Sequence, residues 1–199
     1  MPTAVGTVLE LHRWPVKSMA GEPVERLRVD PRGAGGDRTH ALTHVHKGAE
    51  RRLTAREAPR LLAWRASYAG ADVDPAAPPE PSLTAPDGRT FAWGDDALAG
   101  ALAEDLGRDV GLRRDVAGQQ DLPDTLLITT AATLAAVERE MGQPVDLRRF
   151  RTNVHVELDA EAFAEDGWQG RRIRVGEAEI ELLHPCLRCV IPTRHPDNQ

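Results

Sequence analysis

Short runs in which apolar and polar residues alternate recur along the chain, and they predict a mainly β, α+β fold. The clearest lies at 150–158, where Asn153 and His155 share one face and Val154 and Val156 share the other. Side chains in a strand alternate between the two faces, so this pattern indicates a half-buried strand. Further strands are predicted at 3–12, 23–29, 39–46, 110–114 and, as a pair joined at Gly176-Glu177, within 172–183. Closure of the strands into a barrel is the simplest way to hide their edges.

Helical spacing is confined to a few segments, which predicts two or three short helices beside the strands. Residues 95–106 place leucines four residues apart, with an aspartate before them and Gly107 after them. Residues 130–141 form a second such segment, closed by Gly142. Thr54, with a glutamate three residues later, is typical of a third helix start. The apolar run at 61–68 fits either a strand or a helix.

Breaks in these patterns indicate how the chain is divided. Residues 70–90 contain five prolines and predict a surface loop, with a hairpin turn at Asp87-Gly88. Residues 118–123 form a polar break, which is the best internal boundary. We therefore expect two regions, 1–118 and 119–199, packed closely as one compact unit.

Composition narrows the possible functions. The 199 residues are 41% hydrophobic and carry a net charge of -6, so there is no basic surface typical of nucleic-acid binding. The first five residues lack the basic and apolar parts of a secretory signal, and no run approaches the ~18 apolar residues of a membrane span. Two cysteines are too few for a disulfide framework. These features predict a cytoplasmic protein with neither nucleic-acid nor membrane partners.

Both cysteines, Cys186 and Cys189, lie near the C-terminus between His184 and His195. A zinc site is one interpretation, although a structural zinc site normally uses two such cysteine pairs. Thiol–disulfide exchange is another, although it favours a pair that opens a helix, and prolines flank this one. Two buried cysteines acting as small apolar residues form a third interpretation, which suits Cys186 best.

Cys189 fits a different role because arginines surround it. A thiolate at this position, stabilised by Arg188 and Arg194, is a suitable ligand for a soft metal.

Positive side chains also precede or follow predicted strands elsewhere. Each alone is typical of a solvated surface, but together they could form a pocket for a phosphorylated cofactor. The glycine-rich turn before Arg38 could add backbone amides as an anion nest. The residues concerned are Lys17, Ser18, Arg38, Arg148, Arg149 and Arg151.

Five motifs in order give the chain a resemblance to a known family. The sequence resembles the MOSC family, named for the C-terminal domain of molybdenum cofactor sulfurase, from residue 14 to the C-terminus. The motifs are Trp14-Pro15-Val16-Lys17-Ser18, Gly36-Asp37-Arg38, Arg149-Phe150-Arg151-Thr152-Asn153, Phe163 to Trp168, and Cys186-Leu187-Arg188-Cys189 with Thr193 and Pro196-Asp197.

The resemblance implies a MOSC-type β-barrel that binds the molybdenum cofactor, a molybdopterin. Residues 1–118 would be the N-terminal β-barrel-like region and 119–199 the MOSC core region. The implied activity is that of the amidoxime-reducing members, which are molybdenum-dependent and pyridoxal phosphate-independent oxidoreductases. They reduce N-hydroxylated or related N-/S-oxygenated small molecules. A purified sample could lack the cofactor.

The resemblance also implies roles for particular residues. Cys189 would be the catalytic residue and the molybdenum ligand. The pterin and its phosphate would be held by Lys17, Ser18, Arg38, Arg151, Asn153 and Arg188. A hydroxyl from Thr129, Thr130 or Thr133 would complete the site.

Two alternatives to an oxidoreductase remain open. One is a non-catalytic carrier of the cofactor, or of a persulfide on Cys189, and the other is a zinc-bearing structural module. For the enzyme, the absence of a four-cysteine segment for a [2Fe–2S] cluster implies a separate donor protein, ferredoxin- or flavoprotein-like.

Overall fold

The computed structural model describes residues 5–116 and 126–197, which are mainly β with two α-helices. The predicted fold class is confirmed. The helices are α1 (Asp96–Leu106) and α2 (Ala131–Met141). The strands are β1 (Gly6–Arg13), β2 (Glu22–Pro23), β3 (Val29–Asp30), β4 (Gly33–Ala34), β5 (His40–His46), β6 (Ala49–Leu53), β7 (Arg65–Ser67), β8 (Ser82–Thr84), β9 (Thr90–Ala92), β10 (Gly111–Arg114), β11 (Ile128–Thr130), β12 (Val154–Leu158), β13 (Arg172–Val175) and β14 (Ala178–Glu181). Short 3₁₀ helices cover Pro59–Ala63, Leu147–Phe150, Ala164–Gly167 and Ile191–Thr193.

The strands pair into five open sheets. The largest has the order β11-β12-β1-β2, with β1 antiparallel and β11 parallel to β12. The others are β10-β5-β6, β7-β8-β9, β13-β14 and β3-β4. Over residues 5–116 and 126–197, none of these sheets closes into a barrel, so the expected closure is not observed there.

Both α-helices form where their local signals predict them. Asp95 caps α1 by accepting a hydrogen bond from the Ala97 amide at 2.9 Å, and Gly107 ends it at φ 66°. Thr130 caps α2 in the same way, accepting from the Thr133 amide at 3.2 Å. A capping side chain satisfies an amide that has no partner within the helix, which is why these residues begin helices.

The helix predicted at Thr54 does not form. The amides of Glu57 and Ala58 both donate to the Thr54 carbonyl, at 3.0 and 2.9 Å, which makes a turn. Pro59 then opens a 3₁₀ helix, and the ambiguous run at 61–68 divides between this helix and β7.

The strand predicted at 23–29 is also wrong. Only its two ends pair, as parts of β2 and β3, and Pro23 lacks an amide donor for a longer ladder. The hairpin turn at Asp87-Gly88 is present between β8 and β9, with Gly88 at φ 90°. Strands β4, β6, β8, β9 and β11 are not among the strands that the sequence pattern predicts.

The hydrophobic core lies beneath β5–β6, β7–β9 and α1. Trp64, Leu83 and Leu98 are fully buried in it. Ile191, from the C-terminal segment, packs against the same core. The first loop of the chain and the cysteine segment therefore pack against the same core.

The predicted boundary at 118/119 lies outside the described residues, so the division into two regions stays a prediction. Strand β1 pairs with β12 over Gly6 to Leu11, and the two predicted regions thus share a sheet. Within the described part of the chain, no helix combines the length and apolarity needed to cross a membrane.

Candidate functional site

A cavity of about 110 Å³ joins residues from distant parts of the sequence. Four of its lining residues are cationic and none is acidic, so its wall favours an anion. The Cys189 thiol lies in the same wall. The lining residues are Lys17, Ser18, Arg38, Thr54, Ala55, Arg56, Leu62, Arg151, Cys189 and Ile191.

The Trp14–Ser18 loop is fixed by backbone pairing with the start of β5. The Lys17 amide donates to the His40 carbonyl at 2.8 Å. The Ser18 hydroxyl accepts from the Ala55 amide at 3.0 Å. Lys17 and Ser18 therefore line the cavity from a loop that is hydrogen-bonded to β5 and to Ala55.

Arg38 is anchored by a buried carboxylate and a buried amide. It forms a salt bridge with Asp37, whose side chain is fully buried. Its Nη1 also donates to Asn153 Oδ1 at 3.3 Å, and its Nη2 donates to the Arg151 carbonyl at 3.0 Å. Arg38 therefore lines the cavity with a guanidinium that is partly committed to protein acceptors.

Asn153 does not line the cavity. Its Nδ2 donates to the His12 carbonyl at 3.2 Å and to Asp37 Oδ1 at 3.0 Å. Its Oδ1 accepts from the Leu127 amide at 3.1 Å as well as from Arg38. These contacts place Asn153 behind Arg38, where it orients that side chain.

Three backbone amides of the glycine-rich turn, where an anion nest was a possibility, already donate to backbone carbonyls. The Gly35 amide donates to the Arg28 carbonyl, the Asp37 amide to the Ala34 carbonyl, and the Arg38 amide to the Trp14 carbonyl, all at 2.7–3.0 Å. Backbone acceptors therefore occupy these donors, and the positive character of the cavity comes from side chains.

Arg151 is a buried cation of the site whose hydrogen-bonding capacity is not fully used within the described residues. Its Nη1 donates to the Met19 carbonyl at 2.7 Å, and its guanidinium lies 4.4 Å from the centre of the Trp14 ring. Its Nη2 is buried and has no hydrogen-bond partner among the described residues. Burial, followed by repulsion from Arg38, lowers the pKa of Arg151 to about 9. An anion in the cavity would relieve both effects.

Backbone strain is concentrated at the same place. Five non-glycine residues of the described chain have φ in the left-handed region, and three of them line the cavity: Ser18 (72°), Arg38 (50°) and Arg151 (56°). Such conformations cost ~1–3 kcal/mol each and cluster at functional sites. The fold thus stabilises three unfavourable backbone conformations, and these direct the side chains towards the cavity.

The cysteine segment lies on the surface. Cys189 accepts a hydrogen bond from the Ile191 amide at 3.5 Å. Cys186 is exposed, so the interpretation of it as a buried packing residue is wrong. Leu187 between them is 95% exposed. Arg188 stacks on the Phe150 ring at 5.3 Å and is not among the residues that line the cavity.

The candidate threonines also make protein contacts and do not line the cavity. Thr129 donates to the Thr152 hydroxyl at 3.0 Å, Thr130 donates to Glu165 at 3.1 Å, and Thr133 accepts from the Phe163 amide at 2.8 Å. They organise the edge between β11, β12 and α2.

The structure adds residues that sequence reasoning missed. Thr54 and Arg56 line the cavity, although the sequence pattern at 54–57 indicated only a helix start. The one local signal in the sequence is the positive charge of Arg56 beside a capping threonine. No group of three His, Cys, Asp or Glu side chains suited to a metal ion occurs within 5–116 and 126–197.

Comparison with known proteins gives a consistent result. Residues 5–93 match the MOSC N-terminal beta barrel domain and residues 115–199 match the MOSC domain. The mitochondrial amidoxime reducing component 2 of Macaca fascicularis is 26% identical, and that of Homo sapiens 27%, each over 97% of this chain and 68% of the relative. The mitochondrial amidoxime-reducing component 1 of Xenopus laevis is 32% identical over 43% of this chain and 24% of the relative.

One prediction is overturned by these relatives. The expected cytoplasmic location is wrong, because the relatives that cover nearly the whole chain are named as mitochondrial proteins. Composition and the first residues of a sequence do not carry enough information to assign a compartment.

Proposed function

The chain belongs to the MOSC domain family, which is associated with molybdenum cofactor binding, and from this premise we propose that it is a molybdenum-dependent oxidoreductase. Its substrates would be N-hydroxylated or related N-/S-oxygenated small molecules. Relatives named for amidoxime reduction support this substrate class.

The observation that carries the proposal is the meeting of a thiol with a cationic wall. Cys189 and the side chains of Lys17, Arg38 and Arg151 line one cavity, although Lys17 and Arg38 come from the first 38 residues of the sequence. A thiolate is a suitable ligand for a soft metal, and guanidinium groups are suited to phosphate. A phosphorylated, metal-bearing cofactor needs both in one place.

The residues present fit such a cofactor. The buried Nη2 of Arg151 lacks an acceptor that a phosphate oxygen would supply. Arg151, Lys17 and Ser18 would contact the phosphate, with Arg38 held beside them by Asp37. A cavity of about 110 Å³ is smaller than the ~300 Å³ or more of pockets that enclose whole ligands, so only the anionic end of the pterin would be enclosed.

When bound, the cofactor would supply a two-electron removal of oxygen from an N–OH group, followed by re-reduction. The chain's own residues would bind and orient it. Cys189 would act as metal ligand, in a segment whose exposure leaves room for substrate. We assign re-reduction to a separate electron-donor protein, ferredoxin- or flavoprotein-like, as the relatives named for amidoxime reduction suggest.

A turnover assay tests the proposal. The protein is produced in a molybdopterin-competent host, and conversion of benzamidoxime to benzamidine is followed with reduced methyl viologen as the electron donor. We expect turnover by the wild type and by Cys186→Ser, and none by Cys189→Ser. One zinc per chain without molybdenum would contradict the proposal and favour a zinc-bearing module.

The exposure of Cys189 also favours a second candidate, a carrier of the cofactor or of a persulfide. An exposed thiol can pass its cargo to another protein, whereas catalysis does not require the thiol to be accessible to a second protein. Molybdenum and pterin at one per chain, without reduction of benzamidoxime or of an N-hydroxypurine, would favour the carrier.

A further inference from the structure

Arg149 belongs to the same motif as Arg151 and Arg148 directly precedes it, yet neither of these two arginines lines the cavity that holds Arg151. Arg149 Nη1 donates to the Pro192 carbonyl at 3.2 Å and to the Arg194 carbonyl at 2.9 Å. Arg148 donates to both carboxylate oxygens of Asp197, at 2.9 and 2.7 Å. Both arginines therefore contact the segment that directly follows Cys189.

We propose that Arg149, supported by Arg148, is a positioning residue that holds residues 191–197 and thereby keeps Cys189 at the cavity. The inference rests on the role proposed above for Cys189. It assigns different tasks to the arginines of this region, because Arg151 lines the cavity whereas Arg149 and Arg148 hold the segment that follows the thiol.

A short path joins Arg149 to the sulfur of Cys189. It has a hydrogen bond at each end and the backbone of residues 191–192 between them. Residues 191–193 form a single 3₁₀ turn in which the Thr193 amide donates to the Val190 carbonyl at 3.1 Å. The Ile191 amide, at the start of this turn, donates to Cys189 Sγ. Anchoring the carbonyl of Pro192 therefore also anchors the turn whose first amide donates to the thiol.

Among the described residues, the printed anchor on the N-terminal side of Cys189 is a weaker one, the contact of Arg188 with the Phe150 ring at 5.3 Å. Residues 183–189 have no regular secondary structure, and every one of them is exposed. Cys186 makes only a long contact of 3.7 Å with the neighbouring Leu187 carbonyl. The described chain thus positions Cys189 mainly from its C-terminal side.

The two arginines are not equivalent. The Asp197 side chain is 55% exposed, so solvent screens its pair with Arg148, although the hydrogen bonds from Arg148 lower the pKa of Asp197 and keep it ionised at neutral pH. The bonds from Arg149 are partly buried and go to main-chain carbonyls. We therefore expect Arg149 to dominate.

We call the hold of Arg149 and Arg148 on residues 191–197 the clamp. Hydrogen–deuterium exchange on the protein measures it directly. In Arg149→Met, amides within 191–197 should exchange at least ~10-fold faster, because the carbonyls of their turn lose their anchor. Strand β12 should exchange at the wild-type rate. Arg149→Lys should restore part of the protection, and Arg148→Met should have a smaller effect. The matched control is Arg172→Met, whose ion pair with Glu179 lies within the β13–β14 hairpin, and it should change neither region.

Molybdenum content provides the second measurement. The metal retained per chain after gel filtration should fall several-fold in Arg149→Met and stay unchanged in Arg172→Met. Wild-type exchange at 191–197 in Arg149→Met would overturn the clamp, as would an equal acceleration in β12, which would indicate general destabilisation.

The two measurements distinguish a failure of the clamp from a failure of the proposed function. Local opening in a protein that never binds molybdenum would support the clamp and reject the proposed function. Unchanged exchange together with lost molybdenum would reject the clamp and leave the proposed function standing.

Discussion

Arg151 is the single side chain on which the anion site most depends. Its buried Nη2 has no hydrogen-bond partner within 5–116 and 126–197, and its pKa is lowered to about 9 by burial and by Arg38. A cation in this condition gains more from an incoming phosphate than one that already has a carboxylate partner. The protein thus holds a positive charge whose natural partner is a ligand.

We expect Arg151→Met to weaken retention of the cofactor by ~10- to 100-fold, since a charge-assisted hydrogen bond contributes ~1.5–3 kcal/mol. Arg188→Met, on a side chain that stacks on Phe150 outside the cavity, should change retention much less. Molybdenum per chain after repeated dialysis is the measurement. Equal losses in the two variants would show that the phosphate is held elsewhere.

His40 makes stability depend on pH. Burial, followed by the nearby charge of Arg114, lowers its pKa from 6.5 to about 4. The unfolded chain therefore binds this proton at a higher pH than the folded chain does. The stabilising effect is complete above pH 6.5 and is lost as the pH falls towards 4, by up to ~3 kcal/mol.

Urea unfolding at pH 7.5, 5.5 and 4.5 measures this effect. The free energy of unfolding should fall more steeply with acid in the wild type than in His40→Gln. His46→Gln, at the exposed end of the same strand, serves as the control and should follow the wild type. Identical slopes for wild type and His40→Gln would exclude His40 as the source.

At the scale of elements, α2 depends on a cap that also joins it to a neighbouring turn. Thr130 is buried, accepts from the Thr133 amide and donates to Glu165. Asp95 caps α1 in a similar way but is exposed. Burial makes an unsatisfied group costly, because water cannot replace the lost partner.

Thr130→Val should therefore lower the free energy of unfolding by ~2 kcal/mol, against ~1 kcal/mol for Asp95→Ala. Chemical denaturation of both variants gives the comparison. A smaller loss for Thr130→Val than for Asp95→Ala would contradict the proposed coupling between α2 and the Glu165 turn.

Helices and hairpins could be predicted where the residues that determine them lie within the element itself. The two helices carry their own caps, and the hairpin at Asp87-Gly88 carries its own turn residues. The turn at Thr54 was predicted as a helix because a capping pattern does not reveal that Pro59 and the core will impose a different path. Strand β6 carries charged residues and becomes visible only through its pairing with β5.

At the scale of the whole molecule, the site depends on one buried amide that connects four segments. Asn153 bonds to the carbonyl of His12, the carboxylate of Asp37, the guanidinium of Arg38 and the amide of Leu127. The motifs indicated that these segments share a function. They did not indicate that Asn153 faces inward, that Cys186 is exposed, or that Arg56 joins the wall, because these facts arise from long-range packing.

Asn153→Ala should lower the free energy of unfolding by ~2–4 kcal/mol, since several buried polar groups lose their partner at once. It should also reduce cofactor retention by releasing Arg38. Thermal unfolding and molybdenum analysis check the two effects. Full stability in this variant would contradict the view of Asn153 as the junction of these segments.

Molybdenum stoichiometry in a pair of cysteine variants tests the central claim most directly. The protein and its variants are purified from one molybdopterin-competent host, and molybdenum per chain is measured by mass spectrometry. We predict about one molybdenum per chain in the wild type and in Cys186→Ser, and a many-fold loss in Cys189→Ser. Equal molybdenum in Cys189→Ser and Cys186→Ser would contradict the account, because the thiol at the cavity would then not hold the metal.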